Sequence, residues 1–311
     1  MGLPVVTVGL CVKNNETSVK DAVISVLNSD YPSELLELIV VDGRSTDRTI
    51  DIIKEILTTT KIRYKLLDDG GNGLASARQL VVNASTGKYI QWVDGDHIIP
   101  RDFIRKQVDF LESNPVLAAS EGITKGINRG IVPTLESHIW TLNAMKRIRD
   151  HNIKTVGSAG VMYRLQAMLD VGGYDTNIKG SCEDGDISTR LYKQNWKLSM
   201  NPSAFYYHDM RPTFRGLWKE YYWWGYGAHY LGQKHPGVVN PWRFFPVVAF
   251  LAGIKHGIRA FMLTKDWLCI FMPIHYSWKR LAWCMGYLQA HKDGYGHKSQ
   301  NSVYRGGYGH E

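Results

Sequence analysis

The chain of 311 residues has few cysteines, and none of them stands in a metal-binding arrangement. Cys11, Cys182, Cys269 and Cys284 lie far apart and form no C-x-x-C pair. This spacing excludes the usual zinc motifs and favours a reduced, cytosol-facing chain, because small secreted domains use closely spaced cysteines as disulfide frameworks. An apolar strand pattern starts at Pro4, so we expect no cleavable signal peptide.

Phosphate-binding glycine motifs and long apolar runs are missing as well. Neither G-x-G-x-x-G nor G-x-x-x-x-G-K-[ST] occurs, which excludes the dinucleotide fingerprint and the P-loop. In the last third of the chain, the apolar run at 244–254 has about eleven residues, whereas a helix needs ~20 to cross a bilayer. We therefore expect amphipathic or re-entrant helices at a membrane interface. A soluble helical subdomain, an oligomer interface and two kinked spanning helices remain as alternatives.

An excess of positive charge is absent from the first two thirds of the chain. Through His208, 24 Lys and Arg balance 24 Asp and Glu, whereas 13 Lys and Arg face 5 Asp and Glu from Asp209 onward. Seven of the ten tryptophans also follow Asp209. A basic, Trp-rich region predicts contact with an anionic membrane surface. We expect no nucleic acid, because no nucleic-acid-binding motif accompanies the charge.

Strand and helix patterns alternate four times in the first hundred residues. Apolar, β-branched runs at 5–12, 35–41, 62–67 and 89–93 each precede a helical pattern, as in a parallel sheet covered on both faces. Ligands of such sheets bind beyond the carboxyl ends of the strands. The polar residues at those ends are Asn14, Asp42, Asp69 and Asp94.

The fourth strand ends in the tripeptide Asp94-Gly95-Asp96. Two carboxylates one residue apart repel each other, and a divalent cation relieves that repulsion. Glycine between them permits the sharp turn that lets both face one ion. The tripeptide predicts a metal site that binds a nucleotide diphosphate. A solvated Asp-Gly turn is the alternative.

A series of motifs resembles the family 2 glycosyltransferases, which have the GT-A fold, over about residues 4–210. Besides Asp94-Gly95-Asp96, the motifs in chain order are V-D-G-R-S-T-D-R-T at 41–49, Ala77-Arg78, A-S-T-G-K-Y-I at 84–90, G-G-Y-D at 172–175 and Glu183-Asp184. The resemblance implies a Rossmann-like, mainly parallel mixed sheet with helices on both faces, followed here by membrane-interfacial helices. It also implies an inverting enzyme that uses a nucleotide-activated sugar.

The resemblance assigns roles to residues of the first 208. The nucleotide-sugar contacts it implies are Asn14, Glu16, Asp42, Arg78, Asp94 and Gly95. Asp96 is expected to bind Mn²⁺ or Mg²⁺, with Asp94 and His208 as further ligands. His208 could equally be an ordinary residue at the end of a strand.

The pair Glu183-Asp184 corresponds to the acceptor-side acids of the family, and Asp184 is the expected general base. Inversion by single displacement needs such a carboxylate to deprotonate the acceptor hydroxyl. Glu183 as the base, or Asp184 as a mere charge at a helix N-terminus, remain alternatives. The other acceptor-side candidates are Trp140, Arg190 and Arg211, with a core position as the alternative for Trp140.

The chain departs from the family at two places. Asp42 is followed by Gly43, where the family often has a second aspartate, and no Q-x-x-R-W follows Glu183-Asp184. The second departure argues against a processive polymerase and favours transfer of one sugar per encounter. A polyprenyl- or dolichyl-phosphate sugar transferase is the nearest alternative, and a catalytically inactive nucleotide-sugar-binding scaffold is the alternative from another class.

The sequence predicts three regions. Residues 1–210 form the catalytic domain, 211–290 a helical membrane-associating region, and 291–311 a flexible tail rich in Gly, Tyr and His. We expect a UDP-sugar as donor and a glycan or lipid-linked acceptor at the cytoplasmic face of a membrane. Oligomerisation is left open.

Overall fold

The computed structural model describes residues 2–150, 152–241 and 245–296. Its strands along the chain are β1 (Val6–Val12), β2 (Leu36–Asp42), β3 (Arg63–Asp68), β4 (Tyr89–Trp92), β5 (His97–Ile98), β6 (Leu117–Gly126), β7 (Val161–Arg164) and β8 (Lys197–His208). They form one sheet in the order β3-β2-β1-β4-β7-β6-β8-β5. The first four strands are parallel, as their apolar runs predict, whereas β7 runs antiparallel to β4 and β6.

Helices cover both faces of this sheet. Those of the sheet region are α1 (Val19–Leu27), α2 (Thr49–Leu57), α3 (Leu74–Ala84), α4 (Phe103–Glu112), α5 (Ile131–Ile148), α6 (Leu165–Asp170) and α7 (Glu183–Lys193). Side chains of β2 alternate between two apolar cores, since Leu38 and Val40 pack on one face and Ile39 and Val41 on the other. The continuous apolar pattern of the strands follows from this two-sided burial.

One long strand, β8, replaces the two strands expected at 196–200 and 204–208. Asn201 and Pro202 interrupt the apolar pattern, but the buried Asn201 amide donates to the backbone oxygen of Lys106 and keeps the strand continuous past Pro202. The pairing with β6 shifts register between Glu121 and Ile123 to accommodate the interruption. The short strand β5, which no apolar run predicts, pairs antiparallel with the end of β8.

Three long helices follow the sheet: α8 (Phe214–Lys234), α9 (Pro246–Thr264) and α10 (Met272–Lys292). Helices α8 and α10 cross closely, because a Cβ at Gly225 would lie 1.9 Å from the Trp283 oxygen and one at Gly286 would lie 1.9 Å from the Tyr222 oxygen. A buried ion-pair network at Glu136 attaches α10 to α5. The carboxylate of Glu136 contacts Lys279 Nζ at 2.7 Å and His275 Nε2 at 2.6 Å.

Helix α9 is longer than its apolar run. It spans 19 residues, and an 18-residue window within it has a mean hydropathy of 1.4 and is 22% buried, so by length and composition alone it could cross a membrane. The helix extends beyond the apolar run at 244–254, through Lys255 and Arg259 to Thr264, so its length permits either an interfacial or a spanning helix. Residues 242–244 lie outside the described part of the chain.

The predicted tail is packed at its start. Helix α10 continues to Lys292, and the Tyr295 side chain is buried against Tyr226 with ring centroids 4.9 Å apart. Residues 291–296 are thus part of the folded protein. The remainder of the predicted tail, 297–311, lies outside the described residues.

Candidate active site

A cavity of about 1200 Å³ lies beyond the carboxyl ends of β1, β2 and β4. It is larger than most small-molecule sites, which occupy ~300–1,000 Å³. The predicted site residues in its lining are Arg78, Asp94, Gly95, Asp96, Trp140, Glu183, Asp184, His208 and Arg211. Most of the expected site residues thus share one cavity.

The buried guanidinium of Arg78 joins two of the acidic motifs. It forms an ion pair with Glu183 and contacts Asp94 Oδ1 at 3.2 Å, with only 1% of its side chain exposed. The charge of Arg78 lies between two carboxylates that are far apart in the chain. This contact holds the end of β4 against the start of α7.

Glu183 and Asp184 begin helix α7; Glu183 is buried, whereas Asp184 is half-buried and lines the cavity. Cys182, directly before them, has a left-handed backbone with φ 73°, an unfavourable conformation for a non-glycine residue. Burial raises the pKa of Glu183, and the negative charge of Asp184 adds to it against the opposing effect of Arg78. Burial also raises the pKa of Asp184, partly opposed by Arg78. A carboxyl with a raised pKa is a stronger base than an exposed one.

Asp96, His97 and His208 form a compact cluster whose ligand atoms all lie within 4.8 Å of one another. Asp96 Oδ2 is 3.5 Å from His208 Nε2, and Asp96 Oδ1 is 3.5 Å from His97 Nε2. Burial opposes the charge on Asp96, but His208, His97 and Arg211 outweigh it and hold the pKa of Asp96 well below its usual range. Asp96 is therefore an anion at neutral pH.

These residues fit a divalent cation. A carboxylate oxygen and an imidazole nitrogen are normal ligands for such ions, and two neighbouring ligands at ~2.1 Å from one ion stand about 3 Å apart. The 3.5 Å between Asp96 and His208 is close to that spacing. Asp94 is not part of this cluster: its Oδ1 contacts Arg78, and its Oδ2 is 3.8 Å from His97 Nδ1. A metal contact by Asp94 stays a prediction.

Arg211 lies at the metal side of the cavity. Its guanidinium is 3.8 Å from Asp96 Oδ2 and 3.9 Å from Glu220 Oε1. Arg211 lines the same cavity as Glu183 and Asp184, and its acceptor-side role stays a prediction. Glu220 of α8, which the sequence did not single out, also lines the cavity.

Three predicted nucleotide contacts lie in a polar loop cluster outside the cavity lining. The side-chain oxygen of Asn14 accepts from the Thr46 backbone at 2.8 Å, and Glu16 accepts from the Arg48 backbone at 3.1 Å. Asp42 accepts from the Ser45 backbone and hydroxyl. Their neighbours at the strand ends, Asn15 and Asp69, line the cavity instead. A nucleotide contact by Asn14, Glu16 or Asp42 stays a prediction.

The two remaining acceptor-side candidates, Trp140 and Arg190, lie in different parts of the structure. Trp140 of α5 is half-buried and lines the cavity. Arg190 is outside the lining, and its guanidinium is engaged by Asp186 at 2.7 Å and by the Gly173 oxygen at 2.6 Å. These contacts hold Arg190 between α6 and α7, and an acceptor-side role for Arg190 stays a prediction.

The C-terminal helices complete the cavity. Trp224 of α8 and Arg280 and Trp283 of α10 belong to its lining, together with Glu220. The aromatic residues of this region predict membrane contact and not a place in the site. The packing of α8 against α10 is what brings them to the cavity. The cavity thus extends beyond the predicted catalytic boundary at residue 210.

The sequence profile described as glycosyl transferase family 2 matches residues 7–171, more than half of the chain. The chain belongs to glycosyl transferase family 2. This family 2 enzyme is 27% identical over 225 residues to poly-β-1,6-N-acetyl-D-glucosamine synthase of Staphylococcus epidermidis, covering 70% of this chain and 53% of the relative. It is 24% identical over 230 residues to the synthase of the same name from Staphylococcus aureus strain COL, covering 72% and 54%. The enzyme spans about half the length of these curated relatives.

Solved structures agree on the architecture. The family 2 enzyme matches the mannosyltransferase PcManGT from Pyrobaculum calidifontis, in complex with GDP-Man and Mn²⁺, with a TM-score of 0.61 and 16% identity over 97% of this chain and 78% of that one. It matches S. aureus TarS 1–349 in complex with UDP-GlcNAc with a TM-score of 0.54 and 15% identity over 93% and 92%. The expected GT-A fold and glycosyltransferase class are confirmed.

Proposed function

We propose that this family 2 enzyme transfers one sugar from a UDP-sugar to an acceptor hydroxyl or phosphate at a membrane surface, with inversion and with the help of a divalent metal. The observation that carries the proposal is the meeting of two acidic sites in one cavity. Asp96 lies with His208, and Glu183 and Asp184 lie beyond Arg78. Single displacement needs one site for the leaving diphosphate and another for the acceptor proton.

Asp96 and His208 would hold Mn²⁺ or Mg²⁺, which would supply charge neutralisation to the departing diphosphate. The cation Arg211, 3.8 Å from Asp96, lies where it can attract the same anion. PcManGT in complex with GDP-Man and Mn²⁺ shares this fold, which supports a metal site in this enzyme.

Asp184 is the better candidate for the general base. Glu183 is committed to the buried ion pair with Arg78, so its carboxylate is less available to accept a proton. Asp184 accepts from the backbone N–H of Gly185 at 2.7 Å and lines the cavity. It would remove the acceptor proton while Arg78 and Glu183 hold the start of α7 in place.

The donor assignment rests on the relatives. Both staphylococcal relatives are named for poly-β-1,6-N-acetyl-D-glucosamine, and TarS binds UDP-GlcNAc in a structure of the same fold. These names support a UDP-sugar, with UDP-GlcNAc as the first candidate. A glycan is the acceptor we favour. A polyprenyl phosphate is the alternative, because the C-terminal helices add the cation Arg280 to a cavity lining that also contains Arg211.

Membrane association is proposed from the C-terminal helices. Of the 27 exposed large apolar side chains in the described residues, 17 lie between Phe245 and Leu288. Trp267 and Ile270, between α9 and α10, are 77% and 73% exposed. Contiguous apolar surface beside basic residues fits the interface of a membrane with anionic lipids. Helix α9 either lies in this interface or crosses the bilayer.

A screen of nucleotide sugars with Mn²⁺, measured as release of free nucleotide without acceptor, tests the donor. We expect slow hydrolysis of UDP-GlcNAc and little of GDP-mannose. Preference for a GDP-sugar would contradict the UDP assignment, and no turnover of any sugar would contradict catalytic activity. Adding β-1,6-linked oligosaccharides or polyprenyl phosphate then separates the two acceptors. Products longer than the acceptor by many sugars would contradict single transfer.

A further inference from the structure

His97 links the two carboxylate residues of the Asp94-Gly95-Asp96 turn. Its ring is 1% exposed and packs edge-on against Tyr206 and His208, with centroids 5.0 and 4.5 Å away. The pairing of β5 with β8 sets His97 directly opposite His208. The ring is therefore held in one place by the sheet and has little freedom to turn.

A hydrogen bond at Nδ1 shows which nitrogen of the neutral His97 ring carries the proton. The backbone N–H of Asp94 donates to His97 Nδ1 at 3.2 Å. Because a backbone N–H can only donate, Nδ1 must be the acceptor, and the ring proton is on Nε2. Among the described residues, Nε2 is buried without a hydrogen-bond partner, and the atom it faces is Asp96 Oδ1, 3.5 Å away.

A nitrogen that carries a proton has no lone pair for a metal. We propose that His97 is a positioning residue and not a metal ligand: its Nε2–H turns Asp96 so that Oδ2 is presented to the ion together with His208. This inference rests on the proposed metal site. Metal ligands commonly need such a partner, and its removal typically costs ~10–100-fold in metal affinity.

Pulsed electron paramagnetic resonance of Mn²⁺ bound with UDP tests which histidines touch the ion. We expect coupling to one imidazole nitrogen in the unaltered enzyme and to none in His208→Ala. Coupling to two imidazole nitrogens, one of which disappears in His97→Leu, would overturn the proposal. The spectrum of the unaltered enzyme decides between one and two ligands even where the His97 variant does not fold.

Titration of Mn²⁺ into the variants tests the positioning role. His97→Leu is expected to weaken Mn²⁺ binding by roughly 10–100-fold. His97→Gln is expected to restore most of the affinity, because its amide N–H reaches the position of Nε2. The matched control is His138→Leu, since His138 also pairs with an aspartate, Asp266, at 2.8 Å but lies outside the cavity lining. It is expected to leave Mn²⁺ binding unchanged.

The two proposals fail in different ways. Unchanged Mn²⁺ affinity in His97→Leu, with binding lost in Asp96→Ala, would contradict the positioning role and leave the metal site standing. Absence of Mn²⁺ binding to the unaltered enzyme would overturn both.

Discussion

The guanidinium of Arg78 forms a buried ion pair with Glu183, 105 residues later in the chain. Arg78 also contacts Asp94, in the turn proposed to bind the nucleotide, whereas Glu183 stands beside the proposed base Asp184. One side chain thus connects the proposed donor site with the proposed acceptor site. The geometry of each site depends on this contact.

Arg78→Gln is expected to destabilise the enzyme by about 3–5 kcal/mol, because it leaves the Glu183 carboxylate buried and unpaired. Equilibrium unfolding in urea measures the change. Arg105→Gln is the matched control, since Arg105 pairs with Asp30 at the surface and should contribute less than about 1 kcal/mol. Equal losses in the two variants would contradict the buried pair.

Asp184→Asn is expected to bind donor normally and to lose transfer by ~10²–10⁴-fold, the usual contribution of a general base. Calorimetry with UDP and an assay of sugar transfer separate the two effects. Asp186→Asn is the control on the same helix, because Asp186 pairs with Arg190 away from the cavity. Its transfer rate per folded molecule should stay close to that of the unaltered enzyme. Transfer retained by Asp184→Asn would rule out Asp184 as the base.

The pH dependence of kcat should report the raised pKa of Asp184. The base acts as the carboxylate, so activity rises with pH through that pKa, and the acid limb should lie above the ~4 of an ordinary aspartate. The negative charge of Glu121 raises the pKa of Asp184, so Glu121→Gln should move the limb to lower pH. Glu112→Gln, at the surface beside Lys88, should not move it. An acid limb near pH 4 in the unaltered enzyme would contradict the assignment.

Replacing Trp267 and Ile270 with serine is expected to release the enzyme from anionic vesicles, because each exposed side chain can bury apolar surface worth about 2 kcal/mol. Co-sedimentation with the vesicles measures binding, and donor hydrolysis should be unchanged. Val116→Ser is the control, since Val116 is 63% exposed on another part of the surface. Deleting residues from 211 onward is a poorer test, because it also removes Glu220 and Trp283 from the cavity. Undiminished co-sedimentation of the double variant would refute this membrane face.

The sequence was sufficient to predict the four parallel strands β1 to β4 and the cavity edge at their carboxyl ends. Apolar runs and their polar ends depend on local patterns, and parallel strands necessarily bring those ends together. This reasoning predicts Asp94 and Asp96, whereas the family resemblance assigns Arg78 to the site. The same reasoning does not show which of two adjacent polar residues at a strand end faces the cavity. Asn14 is the predicted nucleotide contact, whereas its neighbour Asn15 lines the cavity.

The remaining features depend on contacts between residues that are far apart in the chain, which sequence patterns do not predict. The pairing of β5 with β8 sets His97 opposite His208, and nothing in two residues of strand predicts it. The contacts of Arg190 with Asp186 and the Gly173 oxygen form only in the folded chain, so the sequence does not predict them. In the sequence, the only indication of a role for His97 is its position directly after Asp94-Gly95-Asp96.

Binding of UDP measured by calorimetry with and without Mn²⁺, in the unaltered enzyme and in Asp96→Ala, tests the metal-dependent nucleotide site most directly. Asp102→Ala serves as the control, because Asp102 pairs with Lys106 outside the cavity lining. The account predicts that Mn²⁺ strengthens UDP binding in the unaltered enzyme and the control but has no effect in Asp96→Ala. Equal Mn²⁺-dependent binding in Asp96→Ala and the unaltered enzyme would contradict it.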